Sequence, residues 1–180
     1  SWVNFPHLLS EKFNSAVFNI SRHLSKEDIA EITIYEKGTG PSRTNMTSWV
    51  DWGSHAFFVA SSIIPNFKDA EINIASVRSA NGYQYTAECM LMHSDIKIRL
   101  KFGNGFLSKQ RSIMIKFKSA RRNNKSYTFT HQLSRDLLYD ELIKRFLNVC
   151  NNPVVFQSSD VWSRVIEAHE ILIRTNPKIE

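Results

Sequence analysis

Apolar residues change period several times along this chain, and each change marks an element. Phe13, Val17, Ile20 and Leu24 recur at three- and four-residue spacing and predict a helix over 10–24. Ser25-Lys26-Glu27-Asp28 resembles a capping box for one more short turn. Glu31-Ile32-Thr33-Ile34-Tyr35 alternates as a strand does, and Gly38-Thr39-Gly40-Pro41 breaks it. Ser48-Trp49-Val50-Asp51 repeats the capping pattern. Behind it Trp49, Trp52, Ala56, Val59 and Ile63 share one helical face up to the stop at Pro65. Gly53 weakens that helix, since glycine costs about 1 kcal/mol against alanine in a helix interior.

The period then falls to two. Strands are predicted over 70–79, 83–92, 95–102, 112–118 and 125–131. Asn81-Gly82 supplies a tight hairpin, His93-Ser94 a second turn, Gly103-Asn104-Gly105 a longer loop, and Arg121-Arg122-Asn123-Asn124 the last connection. Two helices follow. Ser134 caps one carrying Leu138, Leu142, Phe146 and Val149, ended by Asn151-Asn152-Pro153. Ser159 caps the other, with Trp162, Val165, Ile166, His169 and Ile173, ended by Asn176-Pro177. The order predicts a single α+β domain over 1–180. Its sheet is an antiparallel meander of five to six strands, with N-terminal helices and two C-terminal helices packed on one face.

Length and composition agree with one globular unit: 180 residues, 42% apolar, with twelve Phe and four Trp. No apolar run reaches the roughly 18 residues of a membrane span, and the longest, 56–64, contains serines. The expectation is an intracellular protein, cytoplasmic or nuclear and not transmembrane. Cys89 and Cys150 make no disulfide framework and read as two buried thiols.

Charge sharpens the picture. Between Ile96 and Arg135 there is no acidic residue, yet eleven of the 23 basic residues fall there; the other twelve share the rest of the chain with all 17 acids. Alternation points Ile96, Ile98, Leu100 and Phe102 one way and Lys97, Arg99 and Lys101 the other. Ile113, Ile115 and Phe117 oppose Lys116 and Lys118, and Tyr127 and Phe129 oppose Thr128 and Thr130. The phases agree across three strands, as one covered and one wet face require. A mixed-sign outer face is the ordinary arrangement, because like charges opposite each other destabilise a sheet. An acid-free one calls for an anion.

The reading that follows is a non-enzymatic nucleic-acid-binding domain, for RNA or DNA, with no catalytic residue, metal or cofactor. Lys97, Arg99, Lys101, Lys116 and Lys118 on the sheet, with Arg121, Arg122 and Lys125 at the turn, contact the phosphate backbone. The aromatic residues of these strands are in the core phase, so base stacking is not expected. Two other classes stand beside it. One is a structural or adaptor protein that self-assembles, or binds an acidic protein or an anionic membrane surface, with Phe106 and Leu107 at a cationic loop tip. The other is a metal-dependent nuclease built on Asp95-Ile96-Lys97 with Asp69 and Glu88, a pattern a chain of this composition yields about once by chance. Cys89 with His55 or His131 as base reads more simply as a core cysteine, and His169 as a packed histidine. Gly38-Thr39-Gly40 lacks the spacing and the lysine of a phosphate-cradling loop.

Overall fold

The computed structural model describes residues 11–24, 29–40, 48–80, 84–118, 126–130, 143–144, 147, 159–175 and 178–179. Helix α1 is Glu11–Leu24, α2 is Ser48–Ile63 and α3 is Ser159–Arg174. The strands are β1 Ile29–Lys37, β2 Glu71–Ala80, β3 Gln84–His93, β4 Ile96–Asn104, β5 Gln110–Phe117, β6 Ser126–Thr130 and the two-residue β7 Lys178–Ile179. The Asn81-Gly82 hairpin, the Arg121–Asn124 connection and most of the helix expected after Ser134 lie outside the described residues; Ile143, Lys144 and Leu147 are helical.

Among the described residues one sheet holds seven strands in the order β6-β5-β1-β4-β3-β2-β7. The α+β class stands, but the purely antiparallel meander does not. It survives as two pieces, β2-β3-β4 and β5-β6, each antiparallel. Between them lies β1, parallel to β4 and antiparallel to β5. The sheet is therefore mixed, with β2 and β7 as its second parallel pair. Burial supplies the reason. Ile29, Ile32 and Ile34 are fully buried. A strand with that core face gains more at the sheet centre than at an edge, where side chains lose cover. A parallel neighbour needs a long return connection, and α2 together with the β2–β3 hairpin provides it.

The phase read from the sequence holds. Ile98, Leu100, Phe102, Ile113 and Ile115 are buried on the face that carries the helices, whereas Lys97, Arg99, Lys101 and Lys116 lie on the other. Helix α2 is the keystone, with Ala56, Phe57, Phe58, Val59, Ala60 and Ile63 all buried in the core it shares with the sheet and α3, and Ile64 just beyond it buried too. Gly53 makes that position possible. A Cβ there would lie 2.9 Å from Leu172 Cδ1 and 3.2 Å from the Phe102 ring. The residue that weakens the helix locally lets it nest against two neighbours. Trp49, Phe57, Phe67 and Phe102 pack edge-on or tilted, with centroids 5.2–6.3 Å apart. The Ser61 hydroxyl donates to the Arg164 carbonyl at 3.0 Å and ties α2 to α3.

Helix α3 departs in part from its expected face. Val165 is buried as expected, together with Ala168, Ile171 and Leu172, while Ile166 and Ile173 are exposed. His169 is held within the helix, its Nδ1 2.8 Å from the Val165 carbonyl. Cys89 is buried in the core, as expected, and Cys150 lies outside the described residues. No described helix is long and apolar enough to cross a membrane.

Candidate functional site

The insertion of β1 changes the meaning of the cationic strands. β4 and β5 are not neighbours; the strand between them brings an acid to their open face. Glu31 Oε1 lies 3.4 Å from Lys116 Nζ and 3.9 Å from Arg99 Nε, and it accepts a hydrogen bond from the Thr33 hydroxyl at 3.1 Å. Burial pushes the Glu31 carboxyl up, but the Thr33 hydrogen bond and the Lys116 and Arg99 charges outweigh it, so the group sits below the ordinary carboxylate range. Lys118 pairs with the exposed Asp95 at 3.7 Å. Lys97 and Lys101 share the open face of β4, and Arg121, Arg122 and Lys125 lie outside the described residues. The acid-free face inferred from the sequence is thus a mixed-sign face, closed by a strand from far upstream. No group of three metal-ligating side chains occurs among the described residues, and the Glu88 side chain of the expected Asp69, Glu88 and Asp95 set lies outside them.

A denser cluster sits where the central parallel pair ends. In open sheets ligands bind beyond the carboxyl ends of parallel strands, and β1 and β4 end at Lys37 and Asn104. Glu36 points to the helix side there and is fully buried, with Arg111 Nε of β5 3.3 Å from its Oε2. The indole of Trp52 lies over the Arg111 guanidinium, Cζ to ring centroid 5.7 Å, and tilts against His55 at 6.0 Å. Asp51 stands one turn before His55, four residues apart on α2 and so on the same helix face. Both are half-buried, and Asn104 at the end of β4 is buried nearby in sequence to the loop that follows. The first turns of α2 thus bring a carboxylate and an imidazole to the mouth of the parallel pair. Four-residue spacing of Asp and His on a helix was the sequence signal for this site; Asp51 was read only as a cap.

Loop geometry locks this edge. Gly38 N–H donates to the Gly103 carbonyl at 2.9 Å, Gly105 N–H to the Gly40 carbonyl at 2.8 Å, and Phe106 N–H to the Gly38 carbonyl at 3.0 Å. Gly105 has φ 79°, a conformation glycine adopts without strain. Gly38-Thr39-Gly40 follows a strand, as a dinucleotide-binding loop does, but it does not fit a pyrophosphate. A Cβ at Gly38 would stand 2.0 Å from Trp52 Cζ2, so this glycine makes room for an indole.

No protein-family model matches the chain, and no curated protein is significantly similar to it in sequence. Solved structures do share its fold. A putative oxidoreductase from Magnetospirillum magnetotacticum superposes with a TM-score of 0.64 at 14% identity, over 97% of this chain and 62% of that one. KijD10, a 3-ketoreductase from Actinomadura kijaniata solved with NADP, gives 0.60 at 11% identity, over 98% and 60%. The dehydrogenase MviM from Clostridium difficile gives 0.54 at 12%, over 89% and 59%. The chain spans about three fifths of the length of each of these proteins. The fold is one found in oxidoreductases. That finding, with the neutralised sheet face, overturns the reading as a nucleic-acid-binding domain and removes RNA and DNA as expected partners. The adaptor and nuclease alternatives fall with it.

Proposed function

We propose that this chain is the sheet-bearing domain of an oxidoreductase, folded as one unit, and that it supplies substrate-facing groups. The observation that carries this reading is the match of nearly the whole chain to an oxidoreductase fold. The edge formed by Asp51, Trp52 and His55 supports it. Imidazole is the side chain suited to exchange protons near neutral pH, and a carboxylate one turn away suits it to a general acid–base role. Interconversion of a secondary alcohol and a ketone needs such a group at the oxygen. A nicotinamide dinucleotide is one carrier of the hydride such a reaction needs, and one of the neighbours holds it as NADP. With Gly38 filled by Trp52, the described residues offer no cradle for it. The dinucleotide belongs to another unit, on the same polypeptide or a second one, and the share of each neighbour's length left unmatched is consistent with that division.

The test uses the full protein that carries this chain, with NADP or NADPH and a panel of secondary alcohols and ketones. Nicotinamide-dependent turnover is expected. His55→Asn should lower kcat by about 10²-fold and leave dinucleotide affinity unchanged, because His55 handles a proton and not the cofactor. A wild-type rate in that variant would move the site elsewhere. No turnover with any of the panel, at full dinucleotide occupancy, would sink the oxidoreductase reading.

A further inference from the structure

At the same end of the sheet, but on the open face, lies a lysine in an unusual setting. Lys37 is the last residue of β1 and is half-buried. Its Nζ stands 5.3 Å from the Tyr35 ring centroid and 5.0 Å from that of Phe106. Tyr35 reaches it because residues two apart on a strand share a face. Phe106 reaches it because the three hydrogen bonds between 38–40 and 103–106 fix the loop over the strand end. Register places Lys101 of β4 opposite Tyr35, so a second cation lies diagonally next to Lys37 on the same face. The other groups around it are Gln110 of β5, opposite Lys37, and Lys109 in the adjoining loop; Glu88 of β3 lies opposite Lys101, one strand further away. Glu36 and Arg111 belong to the helix side.

We propose that Lys37 is a reactive amine, a site at which a small aldehyde bearing an anionic group condenses to an imine. Two rings and a hydrogen-bonded loop flank the nitrogen and shield it partly from water, while Lys101 disfavours a second positive charge and favours an anion. Burial first, and the Lys101 charge second, hold the Lys37 ammonium below the ordinary lysine range. The ring faces attract an ammonium and limit that shift; burial and like charge are the terms that make a lysine nucleophilic in general. The chemistry balances without a further reagent. The neutral amine lone pair attacks the carbonyl carbon, a carbinolamine forms by proton transfer to the oxygen, and water leaves as the C=N bond closes. Membership of the oxidoreductase site is not required, since Lys37 faces away from α2.

The probe is pyridoxal 5′-phosphate, an anionic aldehyde, with pyridoxal as its uncharged counterpart. Short exposure of the protein near pH 7.5, capture of imines with borohydride and peptide mapping give the labelling rate of each lysine. Lys37 should label about tenfold faster than the median of the twelve lysines in the chain, because burial and the Lys101 charge favour its neutral, nucleophilic form. The phosphate form should be preferred there. Raising the pH should saturate labelling at Lys37 before the other lysines. Lys101→Ala should move that midpoint up and erase the preference for phosphate, and Lys37→Arg should abolish the label with the circular dichroism spectrum unchanged. Labelling of Lys37 at or below the median rate would overturn the proposal. So would a pH midpoint no lower than that of the exposed lysines, whatever the rate, since the reactivity would then be mere accessibility.

Discussion

Strand β1 carries two glutamates, and each stands directly opposite a cation of β5, yet the two pairs live in different media. Glu36 and Arg111 meet on the helix-covered face at 3.3 Å, their side chains 0% and 15% exposed; Glu31 and Lys116 meet on the open face at 3.4 Å, 17% and 53% exposed. The residues differ by an odd number of positions, which alone puts them on opposite faces. Distance is nearly equal, so distance does not decide what each pair is worth. Water does. On the open face, the attraction is screened and a long lysine gives up side-chain freedom to hold its place. On the covered face, a charge removed from water depends on its partner, and taking the partner away leaves it stranded. Charged residues on one strand can thus be a solvated surface in one place and part of a buried site about 16 Å further along, as a rise of about 3.3 Å per residue dictates.

The largest expected effect breaks the buried member. Arg111→Met should cost about 3–5 kcal/mol, read as a lower midpoint in urea unfolding, and it should also release Trp52, whose ring rests on the guanidinium. The double variant Arg111→Met/Glu36→Leu sharpens the point. With both charges gone it should recover most of that loss, because a buried pair replaced by apolar groups of similar volume is close to neutral in stability. A double variant as unstable as the single would mean that shape and not charge matters at this edge. Next in size is Gly38→Ala. Its Cβ would meet Trp52 Cζ2 at 2.0 Å and Cη2 at 2.4 Å. Such overpacking should cost about 1–3 kcal/mol and red-shift the tryptophan emission as the indole is pushed toward water.

How much of this was legible follows from how far apart in sequence the partners lie. The in–out phase of β4, β5 and β6 could be read because alternation is local, and Ile98, Leu100, Ile113 and Ile115 are buried as it requires. That Glu31 would meet Lys116 could not, because no local pattern shows that an upstream strand enters between β4 and β5. Charge counted along the sequence therefore gave a cationic face, whereas charge counted across the sheet gives a mixed one. In α3 the expected face was right at Val165 and wrong at Ile166 and Ile173, which are exposed; the buried face turns toward Ala168, Ile171 and Leu172, and Leu172 lies over Gly53 of α2. The edge with Asp51 and His55 carried a faint signal in its four-residue spacing. Its other half, Glu36 with Arg111, depends on register between distant strands and carried none. At the loop tip placed beside the cations, the Phe106 ring covers Lys37 on the open face, while Leu107 is fully exposed.

On the open face, Lys116→Ala should cost only about 0.2–1 kcal/mol, and the difference from wild type should shrink as salt is raised. A loss of several kcal/mol, or one indifferent to salt, would place Lys116 in a drier setting than its exposure indicates and erase the contrast with Arg111.

The smallest effect is a pH dependence, and its sign is fixed by the direction of one shift. The Glu31 carboxyl is held below its unfolded value, burial raising it but the Thr33 hydroxyl, Lys116 and Arg99 together lowering it more. A depressed carboxyl binds its proton more readily in the unfolded chain, so it stabilises the fold at pH values above the unfolded pKa. That contribution fades as the pH falls from the unfolded value, near 4.5, through the lower folded one. Glu31→Gln keeps the shape and an oxygen acceptor for Thr33 but cannot ionise. Its stability should trail wild type at pH 7 and converge with it in acid, with the convergence confined to the region below about pH 5. Denaturant unfolding at a series of pH values checks this directly. A constant offset at every pH would assign the loss to packing or to the Thr33 hydrogen bond. Divergence in acid would reverse the sign and show that burial, not the two neighbouring cations, governs Glu31.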